Sequence, residues 1–458
     1  MTITQDLSAF AAGLRLEALP PEVVARTRAL VLDLVGNIVR ARRDAESTPA
    51  LLAAVKALGL DHGSSRVFAD NATYSPAGAA LINATLGHSL DFDDTHAVAV
   101  VHPGAPVIPA ALAAGEMAGA SGAEVLAAIV AGYEVALRLA LALPAGAHYD
   151  RGYHPSATCG AFGAAAAAGR VFGLDAGRMA SALGIALSQC AGSLQFLANG
   201  AWTKRFQVGW AGMAGLTAAT LAREGFKGAA DAIEGKHGFL RAYAPDPQPD
   251  RVLQDIGSVW ELMNTGVKPY PSCRWGHAGI DAALALRAEH GLKAEEIEGV
   301  TLGISRAGML LVGEPAGRKA NPQNIVDGQF SGPFVIAAAL STGQMGWDSY
   351  AMLQDPGIKG LMQRVRCEND PEIEAEFPAN MSGKLTVRAR GETFVQKVIV
   401  PKGEPENFLT EHELRSKFSG LADAVLGADA AGQLADAIGR LDRLNDVSPL
   451  LRSPQEAA

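Results

Sequence analysis

The feature that most limits what this chain can become is a run of helical stretches in its first half that are small and apolar nearly all round. They fall near Ser47–Leu58, Ala77–Leu90, Val107–Ala118, Ala123–Leu143, Ala157–Val171, Gly177–Ser193 and Val208–Glu224. A helix with one apolar stripe lies on a surface, whereas a helix without a polar face must be covered on several sides, and small side chains let its neighbours come close. An earlier helix opens at Pro21-Glu22-Val23-Val24 and places Val24, Val31, Leu34, Val35 and Ile38 at helical spacing. Gly119, Gly122, Pro144, Gly173 and Gly225 punctuate the helix ends. The tract Ala164–Ala168 suits a buried helix better than a disordered segment.

The texture changes near Glu261. Strand-like stretches follow at Gly299–Ile304, Lys384–Ala389 and Val395–Val400, the last two flanking an Arg390-Gly391-Glu392 turn. Helical stretches near Gly276–His290 and Pro333–Ser341 lie between them, and the tail from Glu411 to Leu444 is helical again. The expected fold is mainly α with an α+β part: a large all-helical domain from residues 1–262 and 402–458, and a smaller α+β domain from 263–401. No internal repeat is evident.

With 458 residues, 48 % hydrophobic and 19 % charged, the chain can bury a large core, so the disordered class is excluded. A net charge of −9 and a pI near 5.6 speak against nucleic acid, which needs a basic face, but not against a small anion in a locally basic pocket. The first ten residues lack the basic and apolar regions of a signal peptide, and stretches such as Val107–Met117 are too short for a bilayer, so no membrane association is expected. Cys159, Cys190, Cys273 and Cys367 are widely spaced and form no CxxC pair, which fits a reducing cytoplasm.

Polar residues concentrate in a few segments. The densest is His88-Ser89-Leu90-Asp91-Phe92-Asp93-Asp94-Thr95-His96, closing at His102-Pro103-Gly104. It suits either a solvated loop with Asp caps or an acid/base site in which carboxylates tune histidines. Mg²⁺ held by Asp91, Asp93 and Asp94 is a further option, although no EF-hand glycine follows. In Gly152-Tyr153-His154-Pro155, the proline holds His154 extended at a helix entrance. In Trp202-Thr203-Lys204-Arg205-Phe206-Gln207, two cations at a helix start oppose its dipole unless they face solvent or bind an anion. The last segment, Lys268-Pro269-Tyr270-Pro271-Ser272-Cys273-Arg274-Trp275-Gly276-His277, is a stiff loop entering a helix, with Cys273 and His277 at i,i+4. Phosphate-loop, dinucleotide, HExxH and GxSxG motifs are absent, which removes the nucleotide-dependent, zinc-protease and serine-hydrolase readings.

Taken in order, these segments resemble the MmgE/PrpD family, whose activities include 2-methylcitrate dehydration, cis-aconitate decarboxylation and iminodisuccinate epimerisation. Glu234-Gly-Lys-His-Gly-Phe239 looks like a further signature, and the resemblance runs from about residue 5 to about residue 445. It implies a helical domain made by both chain ends with an inserted α+β lid, a homodimer, and no metal, flavin or nicotinamide. It maps catalytic roles onto Asp91, His102, His154, Lys204 and Lys268, and substrate contact onto Thr95. The Asp91–His102 stretch is one residue longer than in the decarboxylase, which makes His96 a competitor of His102. Arg274, His277 and Phe334 complete the expected substrate-binding set. Phe334 follows the Phe330-Ser331 pair where relatives often carry tyrosine, so this chain lacks that hydroxyl.

The expectation is therefore a cofactor-free lyase that abstracts a proton beside a carboxylate of a small di- or tricarboxylate. Dehydration is favoured over epimerisation or decarboxylation. Lysines bind carboxylates and steady enolate-like charge, His102 and His154 are base and acid, and Asp91 orients a histidine or shares the proton. The rivals are a non-catalytic carboxylate-binding protein and an iron–sulfur hydratase; the latter needs cluster spacing that the four cysteines do not have.

Overall fold

A computed structural model describes residues 2–198 and 200–451. The chain is mainly helical and divides into two compact units, Met1–Gly266 with Glu411–Ala458, and Val267–Thr410.

The first unit contains ten helices that matter for the site: α1 (Ile3–Gly13), α2 (Pro21–Asp44), α3 (Thr48–Ala57), α4 (Pro76–Gly87), α5 (Gly104–Ala118), α6 (Gly122–Leu141), α7 (Ala145–Asp150), α8 (Pro155–Val171), α9 (Ala176–Leu187) and α10 (Thr203–Arg223). Local chemistry sets their ends. Pro21 opens α2 at a position whose N–H needs no partner, Glu22 lies in its first turn, and Arg42 and Arg43 lie in its last, as the helix dipole favours. Ser121 and Glu124 form a reciprocal capping box at the start of α6.

α8 is the hub. Every residue from Pro155 to Gly169 is buried, and α5, α6, α9 and α10 all pack on it. Small residues make this possible. A Cβ on Gly215 of α10 would stand 2.4 Å from the Cβ of Ala164. The all-round apolar stretches are therefore interior helices, as their composition requires.

The helix Glu411–Leu426 returns to the first unit and packs on α2. Its Lys417 lies against Asp33 of α2 at 2.5 Å and donates to the carbonyl of Phe92 at 2.8 Å. The ammonium also sits 3.7 Å from the centre of the Phe92 ring. Both ends of the chain thus anchor the polar loop that follows α4.

The second unit is built on a four-stranded mixed sheet. Ile297–Ile304 pairs in parallel with Val365–Asn369 and antiparallel with Gly383–Ala389, which pairs antiparallel with Glu392–Val398. The hairpin between the last two strands turns at Arg390 and Gly391, with φ of 58° and 75°, as a two-residue primed turn demands. The helices His277–His290 and Gly332–Thr342 share a core with the sheet, through Ile280, Leu302, Phe334, Ile336, Leu385 and Val387. The edge strand Val365–Asn369 gives no strand signal in sequence, because only Val365 is buried and the rest is polar or half-exposed.

α10 begins at Thr203 rather than near Val208, so Lys204 and Arg205 lie inside its first turn. The electrostatic objection to cations there is met by acceptors: Lys204 meets Asp91, and Arg205 donates to the carbonyl of Ser89 at 2.9 Å. Among the described residues, no helix is long and apolar enough to cross a membrane.

Candidate active site

The loop from His88 to Pro103 connects α4 to α5 and holds most of the polar cluster. His88 caps the C-terminus of α4, and Asp91 turns the chain through a left-handed φ of 53°. Thr95 and His96 then pair with Gly266 and Thr265 in a short antiparallel bridge. Asp94 closes the loop from inside, accepting from Gly104 N at 3.2 Å and from the Tyr133 hydroxyl at 2.8 Å. Gly104 is required at that point, since a Cβ would lie 2.6 Å from both Asp94 Oδ1 and the Tyr133 oxygen.

Three histidines gather around this loop. The His88 and His102 rings meet edge-on with centroids 4.6 Å apart, and His154 lies 6.1 Å from His88. Asp93 is fully buried between His88 and His102: its Oδ2 is 2.8 Å from His88 Nδ1 and 3.3 Å from His102 Nδ1. Thr95 Oγ1 stands 3.4 Å from the same nitrogen of His102. The His102 N–H donates to Ser156 Oγ at 3.0 Å, which ties the loop to the start of α8. His154 is the N-cap of that helix, held extended by Pro155, and its Nδ1 faces Gln207 Oε1 at 3.2 Å. Lys204 Nζ donates to Asp91 Oδ1 at 2.7 Å.

Electrostatics separates these groups. Burial pushes His88 down to about 4, against the pull of Asp93. Burial also drives His154 well below the ordinary imidazole range, helped by His88, Lys204 and His102 nearby. Burial acts to raise Asp93, but His88 and His102 outweigh it and hold the carboxyl well below its usual range. Asp94 goes the other way, to about 8, because it is buried and faces the charge on Asp93. Burial acts to lower Lys204, and Asp91 with Asp93 more than restores it, so its pKa is raised. Neutral His88 and His154, the charged Asp93 carboxylate and the Lys204 ammonium are the kinds of group that proton transfer beside an anion uses.

Asp91, Thr95, His102, His154 and Lys204 are thus brought together within the first unit. His96 is not with them: its Nδ1 accepts from Ala99 N at 3.0 Å and its Nε2 points to Glu261 at 3.4 Å. His102, not His96, occupies the place beside Asp93. In the second unit Lys268 is buried. Arg274 is occupied by Glu404 through two guanidinium nitrogens, which competes with a substrate carboxylate. His277 Nε2 donates to the carbonyl of Ser272 at 3.1 Å and its ring meets Tyr270. Phe334 is fully buried in the core of its unit and stacks on Tyr350, so its ring packs there and has no surface on that unit for substrate.

Sequence reasoning gives His88 and Gln207 no role of their own, and Asp93 only that of a candidate Mg²⁺ ligand. His88 and Asp93 stand in the conspicuous segment, and a histidine five residues before a carboxylate was the available signal. Gln207 gave none. His88, Asp93 and His102 also form a group, among the described residues, whose potential metal-ligand atoms lie within 4.8 Å of one another.

One family pattern covers the chain in two parts. Residues 5–252 match the MmgE/PrpD N-terminal domain and residues 270–443 the MmgE/PrpD C-terminal domain. The chain belongs to the MmgE/PrpD family. Among curated proteins it is 27 % identical to the cis-aconitate decarboxylase-like protein oryM of Aspergillus oryzae, over 98 % of this chain and 96 % of that one. It is 26 % identical to cis-aconitate decarboxylase of Aspergillus terreus, covering 98 % and 95 %, and 29 % identical to that of Mus musculus, covering 82 % and 78 %.

Proposed function

We propose that this protein is a cofactor-independent lyase that acts on a small tri- or dicarboxylate by proton transfer at a carbon beside a carboxylate. The observation that carries the reading is the gathering of His102, His154 and the Lys204–Asp91 pair in one region of the helical unit. Lys204 and Lys268 hold substrate carboxylates. A cation there steadies the negative charge that builds as the carbon loses its proton or its carboxyl group. His102 and His154 exchange protons with the substrate, and Thr95 hydrogen-bonds it. Arg274 is dropped from the carboxylate clamp, because Glu404 already engages its guanidinium.

Dehydration and decarboxylation share this apparatus and differ in which bond to the enolate-forming carbon breaks. The names of the similar proteins favour loss of CO₂; the missing hydroxyl at Phe334 counts against decarboxylation and methylcitrate dehydration alike. The deciding experiment incubates purified protein in D₂O with methylcitrate, citrate, cis-aconitate and iminodisuccinate. It follows CO₂ release, alkene absorbance and deuterium uptake. Turnover of one substrate that survives EDTA is expected, and its loss in Lys268→Ala. Ligand-induced thermal stabilisation without turnover or exchange would instead establish a binding protein. We also propose a cytoplasmic homodimer, checked by light scattering for mass and by fractionation for location.

A further inference from the structure

We propose that Asp93 and Gln207 are positioning residues that fix the tautomers of His102 and His154, so that each ring carries its proton on Nδ1 and turns a bare Nε2 toward the substrate. This rests on the reading of those histidines as the proton-transfer pair.

The argument for Asp93 is one of acceptors. A single oxygen, Oδ2, faces Nδ1 of both His88 and His102, at 2.8 and 3.3 Å. An ionised carboxylate can only accept. Two nitrogens facing one acceptor must then both be N–H. If Asp93 were protonated, its one proton could serve one nitrogen, and the other would still have to donate. A lone pair on His102 Nδ1, the arrangement needed for Thr95 Oγ1 to donate across 3.4 Å, would point that lone pair at the carboxylate. The 3.3 Å contact is long, as catalytic hydrogen bonds commonly are before a substrate is seated.

For Gln207 the amide orientation decides. Its Nε2 donates to the carbonyl of Ser193 at 2.9 Å, which leaves Oε1 as the atom facing His154 Nδ1. That oxygen accepts only, so the His154 proton is again on Nδ1. The Ser193 segment is itself fixed, because His154 N donates to Gly192 O at 3.2 Å and Tyr153 bridges Ser193. Lys204 and Gln207 are three residues apart, so one face of α10 serves both the carboxylate clamp and a histidine.

The two partners are not equivalent. Behind His102 stands a buried carboxylate, which stabilises an imidazolium as the aspartate of a Ser-His-Asp triad does. Behind His154 stands a neutral amide, which orients the ring and gives no such charge. His102 is therefore the ring built to keep a proton. The substrate C–H bond breaks, its electron pair stays on the substrate as enolate charge, and the proton goes to His102 Nε2. His154, neutral with a bare Nε2, accepts from the substrate and cannot donate, so the proton taken up by His102 is the one returned to the departing hydroxyl or to carbon.

The test is long-range proton–nitrogen NMR on protein carrying ¹⁵N-histidine, with His102→Gln and His154→Gln to assign signals, at pH values where the rings are neutral. Both rings are expected to show a protonated Nδ1 and a bare Nε2; a proton on Nε2 of either overturns the assignment for that ring. Asp93→Asn can offer its NH₂ to Nδ1, so His102 should flip tautomer and turnover fall by on the order of 10³–10⁴, with KM moving less than about tenfold. Gln207→Glu should render His154 doubly protonated at a pH where the native ring is neutral. Unchanged His102 and His154 signals in these variants would reduce Asp93 and Gln207 to structural roles. Once the two rings are assigned, the native spectra need no substrate, so they stand apart from failure of the lyase assignment.

Discussion

The Lys204 ammonium donates to the Asp91 carboxylate across 2.7 Å, joining the first turn of α10 to a loop residue whose backbone is left-handed. The pair has two consequences. It cancels the repulsion between a cation and the positive end of a helix. It also means that a substrate carboxylate binding Lys204 must share the ammonium with Asp91. Lys204→Met should therefore lower kcat/KM by about 10²–10³, the scale of losing one aimed donor. The double variant with Asp91→Asn should show a coupling of about 0.5–3 kcal/mol in stability, read from a denaturation cycle. Additive effects would mean that the ion pair does not couple the loop to α10.

Asp94 and His88 titrate in opposition. The folded Asp94 carboxyl keeps its proton to about 8, whereas unfolded it ionises near 3.8, so this residue lowers stability progressively as pH rises between those values. Folded His88 stays neutral down to about 4 and unfolded it binds a proton below 6.5, so its contribution is full above 6.5 and is lost as pH falls toward 4. Between about 4 and 6.5 the two offset each other, and above 6.5 only Asp94 of this pair contributes, with a slope of at most about 1.4 kcal/mol per pH unit. Asp94→Asn should flatten the decline above pH 6.5 and uncover a rise from pH 4.5 to 6.5. Urea midpoints of both proteins measure this, and parallel pH curves would contradict it.

Gly104→Ala places a methyl 2.6 Å from Asp94 Oδ1 and the Tyr133 oxygen, neither of which is the far end of a long flexible chain. Destabilisation of about 1–3 kcal/mol is expected. Activity should fall further than stability, since His102 stands two residues away. A fully active, equally stable variant would show that the loop end is not fixed by this contact.

Gly215→Ala pits helix propensity against packing. Alanine favours the helix by about 1 kcal/mol, but its methyl would stand 2.4 Å from Ala164 Cβ and 2.5 Å from Ala165 N. The close approach of α8 and α10 should win, with a net loss of about 1–3 kcal/mol in chemical denaturation. A gain in stability would mean that these helices separate easily.

The helical body was legible because period and composition are local. Residues such as Val31, Leu34, Val35 and Ile38 of α2 announce a buried face, and the alanines of α8 announce an interior helix. The polar segments were legible as clusters, and their order carried the family. The edge strand Val365–Asn369 was not legible, since its pairing with Ile297–Ile304 comes from backbone hydrogen bonds that any sequence can make. The Pro-Gly context favours His102 over its competitor His96 in sequence; Asp93 beside one and Glu261 beside the other separate them in space.

The sequence by itself determined that this chain builds a large interior-helix body, a smaller mixed-sheet unit, and loops dense in histidine, aspartate and lysine. Only the tertiary structure decided which of those groups act on each other. Lys204 finds Asp91 across 113 positions, His154 finds Gln207 across 53, and Lys417 reaches the carbonyl of Phe92 across 325. Secondary structure follows from neighbours along the chain. A tautomer or a shifted pKa follows from burial and from partners a few ångströms away, which the order of residues does not encode locally.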